Sequence, residues 1–374
     1  MLNIEGTVQE PNANPIPPVL RLGFRPFFLV AGLFAIISMM IWMASFVFSV
    51  EFTFSVLSPN IWHAHEMIFG YAMAVVAGFL LTAIKNWTGV DVLQGKPLAL
   101  LLSLWLVARI LPLSGSMFSI ELIALVDVLF LFMLAAVCLR PVLKVKQYNQ
   151  MAIISLLFVL MLCNVVFYLG VMGIVENGVQ WGLYSALYMI ITLVLLMMRR
   201  VMPMFIENGV DGDVAIKNRS WVDASSIVLL LCLWVSDVFT DYHQIASVLA
   251  AALTLLHAIR LSGWYTNKIW SKPLVWVLIL AYGSFILGFA LKASQFVFAL
   301  SPSLSVHAFT VGGIGLVTLG MMSRVSLGHT GRNVFDPPPI VLWSLSILFL
   351  GFIVRVIFPL FDMDLYLFFC LKRS

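Results

Sequence analysis

The chain has 374 residues, 62% of them hydrophobic and only 10% charged, against about 45–50% and about 25% in soluble domains, so a water-soluble globular fold is excluded. Its apolar runs are continuous and about twenty residues long, as a helix needs to cross roughly 30 Å of hydrocarbon; a β-barrel would alternate in polarity over about ten residues. The net charge of +4 is scattered through short loop clusters, which fits membrane orientation and contact with anionic lipid rather than nucleic acid.

The expected fold is therefore all-α, a polytopic transmembrane helical bundle of about 11–12 spans. Residues 1–26 form a cytoplasmic N-terminal segment, and 27–374 a single transmembrane domain. The opening MLNIEGTVQEPNANPIPPVL is polar, mildly acidic and proline-rich. It lacks the basic region and cleavage site of a signal peptide, so the first span, about 27–50, reads as a retained anchor.

The second span, about 61–84, starts behind Pro59 and Asn60, a helix-opening pair, and carries His63, His65 and Glu66 in its first turns. The third and fourth spans, about 97–115 and 118–139, contain buried charge. Arg109 and Glu121 each lie roughly 8–10 Å below the intervening turn at 1.5 Å per residue, which predicts that they pair. Asp127 lies deeper without a local partner, so it is either protonated or matched to a distant helix.

After the fifth and sixth spans, about 150–174 and 180–198, the loop 199–222 divides two halves, 27–198 and 223–374. Gly209, Asp211, Gly212 and Asp213 partly resemble a DxDG calcium loop. The downstream bidentate Glu is missing, so the segment reads as a solvated linker. The seventh, eighth and ninth spans follow at about 223–240, 243–261 and 273–291. His243, near Asp237 and Asp241, reads as solvated, and His257 sits one turn before Arg260.

The tenth span, about 303–323, opens at Pro302 and Ser303, with His307 a turn inside. Gly312, Gly313, Gly315 and Gly320 let a helix or a flat macrocycle approach its backbone. Arg324 closes this span and His329 follows in the loop. After the eleventh span, about 339–358, the apolar piece Met363 to Leu371 is about half a span long. It is either a truncated twelfth helix or an interfacial end.

Basic residues collect in cytoplasmic loops. With the N-terminus inside, all of the 21 Lys and Arg residues except Arg109, Lys292 and Arg355 fall on that side, which supports both the span count and the orientation. Four cysteines lie in or at the end of apolar runs without a CxxC, and 19 methionines are dispersed without a repeated spacing; both sets read as packing residues.

Ionisable groups at membrane depth are costly unless they pair, line a cavity or bind something. Imidazole is a common ligand for haem iron, copper and zinc. The compact H-x-H-E pattern favours such a role over simple hydrogen bonding between helices. On a straight helix His63 and His65 diverge by about 200°, and His63 and Glu66 by about 60°. The two histidines therefore serve neighbouring centres, or one centre if the first turn is unwound. His307 shares their outer level, while His257 and His329 mark a candidate cytoplasmic-side site.

Several segments together resemble the NnrS family: RLGFRPFFLVAGLF, WHAHEMIFGYAMAVVAGFLLTAIKNWTG, GKPLALLLSLWLVAR, RRVMPMFIENG and HAFTVGGIGLVTLGMMSRVSLGHTGR. The resemblance implies a twelve-helix protein of the bacterial inner (cytoplasmic) membrane that contains haem and copper and contributes to resistance against nitric oxide and nitrosative stress. It carries His63, His65, His307 and His329 over as motif histidines, with His257 a weaker companion. Nitric oxide and an electron donor are then expected partners beside the bilayer. Two departures bear on the metal complement and on activity: Ile279, in LILAY, stands where family members often show a histidine, and the final helix is short.

Two other classes compete with a metal-centred membrane protein. A secondary transporter or proton-coupled permease would use Glu66, Arg109, Glu121 and Asp127 as a path. A non-catalytic assembly or sensing subunit would need no turnover. No nucleotide loop or nucleophile triad is recognisable.

Overall fold

The computed structural model describes residues 16–50, 52 and 57–361. Eleven helices in the described residues are long and apolar enough to cross a membrane: α1 (Phe24–Phe48), α2 (Pro59–Thr88), α3 (Gly95–Ser114), α4 (Ile120–Lys144), α5 (Tyr148–Val171), α6 (Gly178–Glu207), α7 (Ser220–Phe239), α8 (His243–Trp264), α9 (Pro273–Phe298), α10 (Pro302–His329) and α11 (Pro339–Leu360). No strand occurs among the described residues. The chain is a multi-pass helical membrane protein, as composition and run length require. Met363 to Leu371 lies outside the described residues.

The helices begin where proline or a short polar residue permits. Pro59, Pro273, Pro302 and Pro339 each occupy a first helical position, where the missing N–H costs nothing. Ser119 and Ser301 accept backbone N–H groups at the starts of α4 and α10. The largest departure from the expected boundaries is at the C-terminal end of α6, which continues through Arg199, Arg200 and Pro203 to Glu207. Side chains hold the added turns: Arg200 donates to Gln150 at 2.8 Å and lies over the Trp87 ring at 4.4 Å, and Arg199 pairs with Asp223 at 2.6 Å. His329, expected in a loop, is the last residue of α10.

Successive helices pack as antiparallel neighbours, most extensively α5 on α6 and α8 on α9. Gly170 and Gly178 make the first of these contacts possible, because a Cβ on Gly178 would stand 2.6 Å from the Gly170 Cα. α9 and α10 pack on glycine in the same way, Phe285 filling the space beside Gly313 and Phe309 that beside Gly288. The four helices most enclosed by protein are α2, α6, α9 and α10, whereas α1 and α11 are largely lipid-facing. The central α2 and α10 meet directly through a 2.8 Å hydrogen bond between Tyr71 and Thr318.

Candidate functional site

The regular helix is interrupted at three places by π-helical segments, Glu66–Ala72 in α2, Ala308–Gly315 in α10 and Ile353–Ile357 in α11. Such insertions re-aim side chains and are frequent at functional sites. The first two start immediately after His65 and His307, and the third contains Arg355. These residues lie near the starts of α2 and α10 and the end of α11.

His63 and His65 point to different surroundings, as their spacing requires. The His63 ring lies against Trp42 of α1, with centroids 4.8 Å apart, and is within electrostatic reach of His307 and Arg355. Its Nδ1 is buried without a hydrogen-bond partner. On α10, His307 Nδ1 donates to the Ser303 carbonyl at 2.7 Å. That bond places the ring proton on Nδ1 and leaves a lone pair on Nε2. Arg355 closes this side, its Nη2 lying 3.1 Å from Ser303 Oγ and 3.4 Å from His307 Nε2. Two imidazoles from separate crossings thus meet at the same end of the bundle, one orphaned at Nδ1 and the other with an unprotonated Nε2 beside Arg355.

His65 faces a different, wholly buried ionic network. Its Nδ1 lies 3.2 Å from Glu66 Oε1, and its Nε2 lies 3.0 Å from Asn164 Oδ1 and 3.3 Å from Asp127 Oδ2. Arg109 bridges the carboxylates, donating to Glu66 Oε2 at 2.7 Å and through Nη2 to Asp127 Oδ1. Asn164 and the Tyr168 hydroxyl donate to Asp127 Oδ2 at 3.0 and 3.1 Å. Phe167 covers the imidazole face at 4.4 Å. Because both ring nitrogens meet acceptors, an imidazolium completes the set, and two carboxylates are then balanced by two cations. His65, Glu66 and Asp127 are fully buried and Arg109 is 3% exposed, so this balance is what makes the network tolerable in a low-dielectric interior.

The expected pairing of Arg109 with Glu121 is corrected by this geometry. Glu121 is exposed in the first turn of α4 behind the Ser119 cap. Arg109 is committed to Glu66 and Asp127, the carboxylates enclosed with it. Equal depth along two helices did not bring the side chains together, since they lie on different faces. Asp127 resolves to the distant-helix alternative, with partners on α2, α3 and α5.

At the opposite end of the bundle the other candidates separate. His257 lies between α8 and α9, with Nδ1 2.6 Å from the Tyr282 hydroxyl. His329 stacks on Phe24 at 5.1 Å, and Arg324 lies over the Phe205 ring at 4.0 Å. Among the described residues no three His, Cys, Asp or Glu side chains converge as a ready-made ion cage. Sequence reading passed over Asn164 and Tyr168, used Ser303 only as a helix opener and used Arg355 only for orientation. A lone amide inside the apolar run LCNVVFY and an arginine inside the eleventh span were the available signals.

With this geometry established, comparison with protein families matches residues 18–372 to the family described as NnrS protein. Comparison with curated proteins gives no match.

Proposed function

The chain belongs to the NnrS family, whose membership supports a membrane protein related to nitric oxide stress, and from that premise we propose that His63 and His307 are the ligands of its haem at the outer side of the bacterial inner membrane. The observation that carries this reading is the buried, unpartnered His63 Nδ1 within electrostatic reach of a second imidazole whose Nε2, left unprotonated by the Nδ1 bond to the Ser303 carbonyl, is approached by Arg355 Nη2 at 3.4 Å. A donor set of this kind would suit haem iron, for which imidazole is a common ligand. When bound, haem iron supplies reversible binding of nitric oxide or transfer of single electrons.

The protein's own groups have distinct tasks in this reading. The Ser303 carbonyl fixes the His307 ring and its tautomer, the outer-ligand support commonly needed by a metal-binding imidazole. Arg355 places positive charge beside His307 and favours a ligand or product carrying negative charge. Trp42 packs on the His63 ring and limits water there. The ionic network holds the π-turn between His65 and Ala72, and its closed charge balance assigns Glu66, Arg109 and Asp127 to positioning rather than to a substrate path. Copper, which the family resemblance also implies, has no set of three donors among the described residues, so we assign it no separate cage.

Reduced-minus-oxidised absorption spectra and metal analysis of the purified protein test the assignment. His63→Ala and His307→Ala each lose the haem Soret signal, whereas His243→Ala retains it. Metal-free spectra in the unaltered protein, or full haem occupancy in both ligand variants, would overturn it.

A further inference from the structure

A second polar cluster lies at the cytoplasmic ends of α6, α7 and α8, remote in role from the outer histidines. It surrounds a cavity of about 20 Å³ whose apolar side is formed by Leu195, Ile227 and Leu230 and whose polar end is formed by Asp223, Ser226, His257 and Arg260. Both terminal nitrogens of Arg260 are engaged. Its Nη2 meets the Val222 carbonyl at 3.2 Å, Asp223 Oδ1 at 2.8 Å and Ser226 Oγ at 3.0 Å, and its Nη1 donates to the Tyr282 hydroxyl at 3.1 Å. Asp223 is also bound by Arg199 at 2.6 Å.

These bonds decide the His257 tautomer. The Tyr282 oxygen accepts from Arg260, so its own hydrogen is directed to His257 Nδ1 at 2.6 Å, and Arg260 Nη1 lies 3.4 Å from the same nitrogen. Nδ1 is therefore the acceptor and the neutral ring carries its proton on Nε2. His257 is 1% exposed, and its Nε2 is buried without a partner. Phe289 lies parallel to the ring at 5.4 Å. A desolvated, unpaired N–H donor is costly to maintain and calls for an acceptor.

We infer that this cavity is a binding site for the carbonyl oxygen of a lipid-soluble molecule, with His257 Nε2–H as its donor. A single spare N–H matches a neutral oxygen. A tetrahedral anion would need several donors, and both terminal nitrogens of Arg260 are already bonded. A water-sized group needs about 10–15 Å³ of such space, so a cavity of about 20 Å³ admits one oxygen and not a whole headgroup. Its rim includes Ile227, 36% exposed on a helix whose Val228 and Leu231 also face outward, which gives access from the bilayer. The acceptor chemistry is shared by a quinone head and by the ester carbonyl of a membrane lipid. This inference stands independently of the outer haem assignment.

The full-length protein, purified in detergent, is titrated with a short-tailed benzoquinone labelled with ¹³C at its carbonyls and followed by infrared difference spectroscopy. Native mass spectrometry follows retained phospholipid in parallel. The expected result is a carbonyl band moved to lower frequency. His257→Phe removes that shift and weakens binding about tenfold, the effect of roughly one hydrogen bond. His257→Gln, which keeps an N–H donor, retains much of the shift, and Leu230→Trp blocks binding by filling the cavity. If the quinone does not bind but phospholipid retention falls in both His257→Phe and Leu230→Trp, the carbonyl comes from the lipid and the inference holds with that source. If neither molecule binds, or all variants bind alike, the cavity holds only water and the inference is overturned.

Discussion

Replacing Asp127 by Asn preserves its shape and removes one charge from the enclosed network. The carboxylate accepts from Arg109, Asn164 and Tyr168 and lies 3.3 Å from His65 Nε2. An amide can offer one oxygen to these donors, and its NH₂ then confronts another donor. Breaking a buried pair by neutralising one member costs about 3–5 kcal/mol. At about 2 °C per kcal/mol for a large domain, Asp127→Asn is expected to lower the thermal unfolding midpoint by about 6–10 °C. Fluorescence-detected size exclusion of heated, detergent-purified protein gives the readout. Arg109→Met is expected to cost a similar amount, because it leaves two carboxylates facing one imidazole. The double variant Arg109→Met with Asp127→Asn leaves His65 and Glu66 as a balanced pair. It should therefore recover at least about 1–3 kcal/mol relative to the summed single effects, as coupled neighbours do. An unchanged midpoint in Asp127→Asn, or strictly additive losses in the double variant, would refute the charge-balance argument.

Glu121→Gln should leave the thermal unfolding midpoint close to that of the unaltered chain, since the side chain is exposed; a loss as large as that of Asp127→Asn would restore the Arg109–Glu121 pair. Gly178→Val should abolish the α5–α6 contact, because the added Cβ meets Gly170 backbone at 2.6 Å and backbone has no rotamer escape. Overpacking usually costs about 1–3 kcal/mol, and here the expected result is loss of monodisperse protein on expression, whereas Gly283→Ala, with open space around its Cβ, should behave as the unaltered chain.

Much of the architecture is legible in one dimension because the bilayer imposes a length and a polarity on every crossing. Continuous apolar runs mark the eleven helices, and Pro59, Pro302 and Pro339 mark three of their starts. The C-terminal extension of α6 was not legible. Arg199 and Arg200 read as loop residues, and only their contacts with Asp223, Gln150 and Trp87 carry the helix past them.

For the candidate site, residue type and spacing were enough to single out His63, His65, Glu66 and His307 and to require that the two nearby histidines diverge. Which groups each imidazole meets was beyond that reading. Helical depth is additive along one chain, so levels could be estimated, but azimuth depends on how each helix is rotated against its neighbours and on the π-turns within it. That rotation gave Arg109 to Glu66 and Asp127 instead of Glu121, enclosed His65 among acceptors, and set His63 within reach of His307. Sequence alone determined a membrane-spanning helical chain with charge and imidazole at particular depths. The tertiary structure decided their partners, because pairing is a property of facing surfaces, and a linear period specifies only one surface at a time.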